Sequence, residues 1–280
     1  MRALCIRRGK EKGIEMIYPL KYGNTNTYLI RGNDGWLLFD TDWAGTFPLF
    51  CRAIKERGVD FSLIRYVFIS HFHPDHMGLA GEIAGYGPKV VVFDVQREHV
   101  HGSDGVFTKE NRRDYQPVKD QDALFLELSE SRKFLKDFGI EGEVLATPGH
   151  SDDSISLWLD EGIVLVGDLN PLYELELHKD SQIGASWEKI LSKKPKTVYY
   201  GHAAPAVLSG ESAEPESGSK EVYALVKKIM TYIERGLPAE KIAAKTKASP
   251  QFVEDVTRMV LTHPGIGVQG VLDRIEIKNR

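Results

Sequence analysis

Apolar and β-branched residues along this chain gather into short runs that end on Gly, Pro or a charged residue. These runs alternate with stretches of helical spacing. The early runs predict strands near residues 3–7, 14–19, 25–31 and 35–40. Between Thr46 and Arg57 the spacing changes. Phe47, Phe50, Cys51 and Ile54 recur three and four apart, as on one helix face. Ile64 to Ser70 is a continuous apolar and aromatic run of the kind a buried strand needs, and Lys89 to Phe93 is a second, shorter one. Pro74 suits a turn or a first helical position, with Leu79, Ala80 and Ile83 as the apolar face beyond it. His99 to Lys119 breaks the pattern with Gly102, Gly105, Asn111 and Pro117 and reads as a long loop. A helix is expected at Ala185–Leu191.

The strand ends carry the chemistry. Ile64–Ser70 runs into His71-Phe72-His73-Pro74-Asp75-His76, three imidazoles and a carboxylate within six residues. The extended chain has a side-chain period of two, so His71 and His73 point the same way, while Asp75 and His76 start a helix. Two metal-ligand types from a strand end and two from a helix start suit two metals side by side. Three later runs end alike: Leu145-Ala146-Thr147-Pro148-Gly149-His150-Ser151, Ile163–Gly167 followed by Asp168, and Thr197–Gly201 followed by His202. Each alone is a strand-end turn with a polar residue. Four in one chain point to a shared site.

HxHxDH, TPGHS, VGD and YGH, in this order, resemble the metallo-β-lactamase superfamily. The upstream segments Asn24–Ile30 and Gly35–Asp42 are similar to that superfamily's first hairpin and its buried Asp. The resemblance implies an α+β fold, a four-layer αββα sandwich with metals at one sheet edge, over roughly residues 14–205. It implies that His71, His73 and His150 hold one metal, that Asp75, His76 and His202 hold a second, and that Asp168 bridges them. Asp40 would orient a ligand loop rather than bind metal. Asp168 stands where β-lactamases of the main zinc class have Cys, which points away from antibiotic hydrolysis. His73 stands where the oxygen-reducing diiron branch has Glu, which points away from redox chemistry. Two cations sharing a water can lower its pKa toward about 7, and Asp75 would accept the water's proton. Mixed N/O ligation suits two divalent ions, zinc first, with manganese, iron or cobalt as alternatives.

Composition adjusts this picture at the edges. An apolar fraction of 42% can fill a core, and a net charge of −4 argues against a surface that coats nucleic acid. Cys5 and Cys51 read as reduced filler in a cytoplasmic protein. No run approaches the roughly 18 apolar residues of a membrane span, and the charged first twelve residues do not read as a signal peptide. Phe107, Tyr115 and Arg112 in the long loop are candidates for a substrate wall, with a solvated insertion as the alternative. Tyr173 follows Asp168 at a spacing that does not match the superfamily's lactonase tyrosine. It reads first as a core or loop residue and second as a substrate contact. His99, His101, His178 and His263 read as structural or surface histidines.

The expected organisation is a catalytic domain over 1–208, a polar linker over 209–219 and a helical module over 220–280. Val222, Leu225, Val226, Ile229 and Ile233 set a helical period, and helices are expected at 238–246 and 249–261. A short hairpin or strand is expected over 265–277. The 242–253 segment resembles a helix-turn-helix. From 220 onward eleven Lys and Arg face seven acids, but Glu254 and Asp255 on the second helix disfavour phosphate. A packing, lid or homodimer role is therefore preferred to DNA binding. Three functions stay open: hydrolysis of a small ester, thioester or lactone, phosphodiester cleavage on the same centre, and DNA-binding regulation with the metal domain as sensor.

Overall fold

The computed structural model describes residues 16–208, 217–262, 267, 268 and 270–272. The expected strand at 3–7, Cys5 and His263 lie outside them, as does most of the expected linker. Among the described residues eleven strands run in chain order: β1 (Ile17–Leu20), β2 (Thr27–Arg31), β3 (Trp36–Phe39), β4 (Ile64–Phe68), β5 (Lys89–Phe93), β6 (Ala123–Leu126), β7 (Gly142–Ala146), β8 (Ile155–Leu159), β9 (Ile163–Leu165), β10 (Thr197–Tyr199) and β11 (Ala206–Val207). The helices are α1 (Phe47–Glu56), α2 (Pro74–Met77), α3 (Ala80–Ala84), α4 (Asp104–Lys109), α5 (Ser131–Phe138), α6 (Leu175–His178), α7 (Gln182–Ser192), α8 (Ser217–Glu234), α9 (Ala239–Thr246) and α10 (Pro250–Thr262).

The strands form two sheets, a six-stranded one in the order β1 to β6 and a five-stranded one in the order β11-β10-β9-β8-β7. Strand alternation sorts side chains between layers. In the first sheet Leu29, Leu38, Val67, Val90 and Val92 face outward to a cluster with Phe50 and Ile54 of α1 and Ile83 of α3. Their neighbours Ile30, Leu37, Phe39, Phe68, Val91 and Phe93 face inward, where they meet Ile155, Leu157, Leu159 and Leu165 of the second sheet. On that sheet's far side Trp158, Val164 and Val198 pack on Trp187 and Ile190 of α7. Three stacked apolar clusters thus separate four layers, α-β-β-α.

The helical C-terminus has its own core, with Val226, Ile229, Ile242, Val253, Val256 and Val271 buried together. Its first helix begins at Ser217, so the last three residues expected as linker are helical. Of the segment expected as a hairpin, residues 268 and 270–272 are helical instead. Val268 and Val271 join the helical core there, which sets their spacing. The expected loop 99–119 contains α4, whose Phe107 is 1% exposed. The helix expected after Pro74 divides into α2 and α3. A Cβ at Gly78, between the two, would meet the Ala44 backbone nitrogen and leave no room for a side chain. No described helix is long and apolar enough to cross a membrane.

Candidate metal centre

The chain leaves five strands in the same region. β3 gives way to Asp40, β4 to His71, β7 to His150, β9 to Asp168 and β10 to His202. Backbone bonds lash the two sheets together there. Ile155 N–H donates to Ser70 C=O at 2.8 Å, and Asn26 N–H donates to Gly201 C=O at 2.7 Å. Tyr28 OH donates to Tyr200 C=O, also at 2.7 Å.

Three groups of ligand-type side chains result: His71 with His73 and His150, His71 with His76 and Asp168, and Asp75 with His76 and His202. In each group one candidate ligand atom per residue lies within 4.8 Å of the others. Asp168 sits between the flanks. Its Oδ1 is 3.2 Å from His76 Nε2, and its Oδ2 is 3.5 Å from His202 Nε2 and 3.7 Å from His150 Nε2. Imidazole nitrogens face each other in two places, His76 Nε2 to His202 Nε2 at 3.2 Å and His150 Nε2 to His73 Nδ1 at 3.1 Å. Such pairs need a shared proton or a shared cation. His71 Nε2 is buried without a hydrogen-bond partner, and Asp168 Oδ1 is buried in no well-directed hydrogen bond although His76 Nε2 is 3.2 Å away. Buried polar atoms are costly when left so. Two nitrogens facing two nitrogens, with orphaned N and O atoms beside them, fit a divalent cation better than any internal network of hydrogen bonds.

The surrounding residues fix ring orientation. Asp40 takes a positive φ of 60°. Its Oδ1 accepts from Ser70 N–H at 2.6 Å, and its Oδ2 lies 3.0 Å from His76 Nδ1. The far nitrogen, Nε2, is thereby turned toward Asp168. Ser70 Oγ lies 3.0 Å from His71 Nδ1, which leaves His71 Nε2 for the cluster. Asp153, outside every sequence motif, accepts from Phe72 N–H at 2.7 Å and from Ser151 Oγ at 2.5 Å, so it braces both His-bearing loops. Its one signal is its place three residues after His150. Thr25 Oγ1 donates to the Asp75 carbonyl at 2.6 Å.

Protonation follows the same geometry. Burial, helped by the neighbouring His76, holds the His71 imidazole well below its usual range, so it stays a neutral donor. Burial opposes ionisation of Asp168, but His76 and His202 outweigh it and hold the carboxyl well below the usual range. Burial likewise opposes the charge on His76, and Asp168 and Asp40 override it upward. The carboxylates therefore demand positive charge at the centre of the cluster. A bound cation would supply it by displacing the imidazole protons.

Gly201 makes the close approach possible, because a Cβ there would stand 2.5 Å from Asp168 Oδ1 and 2.8 Å from His76 Cε1. Gly201→Ala is expected to push Asp168 aside and weaken metal binding about 10–100-fold, the range seen when groups supporting metal ligands are lost. Zinc titration against a competing chelator measures this, and unchanged affinity would contradict the packing argument.

A cavity of about 730 Å³ opens beside the cluster, lined by His73, Asp75, His150, Asp168 and His202 together with Trp43, Asn170, Glu174, His178 and Tyr200. Gly267 and Gly270 of the C-terminal helical module form part of its wall. The three aromatic and basic residues expected at a substrate wall are elsewhere. Phe107 is buried in the outer core and stacks on Tyr115 at 3.9 Å, and the Tyr115 hydroxyl is taken by Asp104. Arg112 is engaged by Asp114 and the Ala44 carbonyl. Phe107 reaches the cavity only indirectly, through an edge contact with Trp43 at 6.2 Å. The side chain of Tyr173 lies outside the described residues. His178, expected as structural or surface, lines the cavity.

Comparison with known proteins agrees with this architecture. A "Beta-lactamase-like protein 2 homolog" from Drosophila melanogaster is 26% identical over 179 residues, covering 64% of this chain and 58% of that protein. An "Atrochrysone carboxyl ACP thioesterase" from Emericella nidulans is 24% identical over 218 residues, covering 71% of this chain and 59% of that protein. The chain thus spans less than two thirds of the length of either relative. In fold it is similar to the crystal structure of a metallo-beta-lactamase family protein from Thermus thermophilus, with a TM-score of 0.53 at 20% identity, covering 94% of this chain and 93% of that one. The sequence profile of the metallo-beta-lactamase superfamily matches residues 20–202, from β1 through the last of the clustered histidines, and the chain belongs to that superfamily.

Proposed function

We propose that this protein is a metal-dependent hydrolase of small esters, thioesters or lactones. The observation that carries the reading is Asp168 within 3.7 Å of a histidine from each of the three ligand groups, on the wall of a cavity whose described lining holds no Lys or Arg. A carbonyl substrate needs no cationic clamp beyond the metals, whereas a phosphodiester would call for one. The thioesterase relative supports the carbonyl class.

His71, His73 and His150 would hold one divalent ion, Asp75, His76 and His202 the other, and Asp168 would touch both. Zinc fits these nitrogen and oxygen donors, and manganese, iron or cobalt could replace it. Ions held there would supply polarisation of a substrate oxygen and a water whose pKa is lowered toward about 7. The protein's own part is positional. Asp75, whose Oδ2 lies 3.1 Å from His202 Nε2, stands on the cavity wall to accept the proton that the attacking water gives up. Asp40 holds the His76 ring against rotation as that proton moves. Trp43 and Leu169 present an apolar wall to the acyl or alcohol portion.

The test is a paired assay of zinc- and manganese-loaded protein against a p-nitrophenyl ester, an acyl thioester, a lactone and bis-p-nitrophenyl phosphate, with His71→Ala as control. Turnover of at least one carbonyl substrate, lost in the variant, is expected. Turnover of the phosphodiester alone would overturn the substrate class.

A further inference from the structure

We propose that Glu174, with Asn170 and His178, forms a second subsite of the cavity that takes a cationic, hydrogen-bond-donating group, such as a primary ammonium. The inference rests on the hydrolase reading for its role but not for its binding chemistry. Glu174 is 3% exposed, and it lines the same cavity as the metal cluster. Among the described residues its carboxyl has few partners for so buried a group. Asn170 Nδ2 donates to Oε2 at 2.9 Å, Tyr223 OH reaches Oε1 only at 3.5 Å, and His178 Nε2 stands 3.8 Å from Oε2, beyond hydrogen-bond range. A carboxylate has about four lone-pair positions, and one good donor leaves most of them open. Burying it in that state is costly unless a cation or N–H completes the shell.

Position gives the group its use. Asn170 follows Asp168 by two residues, so the subsite and the metal cluster share one loop and one cavity. The described lining supplies carboxylates from Asp75, Asp168 and Glu174 and no Lys or Arg. Two divalent ions answer the first two, and Glu174 is the carboxylate that they leave over. The C-terminal module closes this end. Tyr223 of α8 reaches Glu174, and a Cβ on Gly267 would come within 3.3 Å of Oε1. Glycine at 267 keeps the approach to the carboxylate open where any larger residue would narrow it.

The experiment has two arms, both on zinc-loaded full-length protein. In the first, calorimetry compares hexylammonium with hexanol on the wild type and on Glu174→Gln. The wild type is expected to prefer the ammonium at least about tenfold, and the variant to lose that preference. Equal binding of the two ligands by the wild type, or an undiminished preference in a Glu174→Gln protein that still binds zinc, would overturn the subsite. In the second arm, kcat/KM is measured for p-nitrophenyl ε-aminocaproate and p-nitrophenyl heptanoate. The ratio should favour the amine in the wild type and fall toward unity in the variant, which a purely structural role would not produce. Ammonium binding that depends on Glu174, without hydrolysis of either ester, would sink the hydrolase reading and leave the subsite standing.

Discussion

Asp168→Asn is expected to cost the protein most of its bound metal and on the order of 10³-fold in kcat/KM, about 4 kcal/mol at the transition state. The expectation rests on three approaches made by one carboxylate, to His76, His150 and His202 at 3.2, 3.7 and 3.5 Å. Asparagine keeps the shape but carries no negative charge. Burial keeps His150 lowered, but His76 is raised toward protonation against burial, above all by Asp168. His202 depends on it as well. Removing the carboxylate therefore takes away both the donor proposed to serve both ions and the field that holds positive charge in the cluster. Metal content by mass spectrometry and steady-state hydrolysis check the two effects separately, with circular dichroism confirming the fold. Two equivalents of metal and full activity in Asp168→Asn would show that the centre is assembled without it.

Trp187→Ala is expected to lower stability by about 3–5 kcal/mol, the usual cost of removing a large buried aromatic side chain. In a chain of this size that corresponds to a fall in Tm of roughly 10 °C. Trp187 is fully buried between α7 and the second sheet, packed with Val164, Val198 and Ile190. It also has a polar task, since its indole Nε1–H donates to the Asn170 carbonyl at 2.6 Å. That bond ties α7 to the loop that carries both Asp168 and the proposed ammonium subsite. Metal affinity should therefore fall together with Tm, whereas a cavity mutation in the outer layer, such as Phe50→Ala, should lower Tm alone. Thermal denaturation and chelator competition on the two variants separate the effects. Equal metal affinity in both would remove the mechanical link assigned to the indole.

Much of this arrangement was readable from residue order because local and global preferences coincide. Val90 to Phe93 is apolar at every position, and the structure uses both faces, Val90 and Val92 outward, Val91 and Phe93 inward. The seven clustered side chains stood out because each follows an apolar run or a proline turn. The readings failed where packing overrode composition. Gly102 and Gly105 made 99–119 look like a plain loop, yet Phe107 finds a socket in the outer core and draws α4 around it. Phe107, Tyr115 and Arg112 were suited by type to a substrate wall, and only the fold shows that a stack, an Asp104 contact and an Asp114 pair occupy them. The opposite holds for His178, read as structural or surface, and for Glu174, which carries no motif, since both line the cavity. They look like ordinary polar helix residues until the loop from Asp168 and the helices beyond 217 are folded together around one cavity.

Each of the three ligand groups mixes residues from the 71–76 run with one from the later sheet: His150, Asp168 or His202. No group is complete within the first half of the polypeptide. During synthesis the early imidazoles must therefore leave the ribosome without Asp168 or their opposite histidines, and the last of these arrives only with residue 202. Complete groups for an ion are in this way deferred until the later sheet's ligand-type residues have been made. A nascent or truncated product would make a poor competitor for the cell's metal supply.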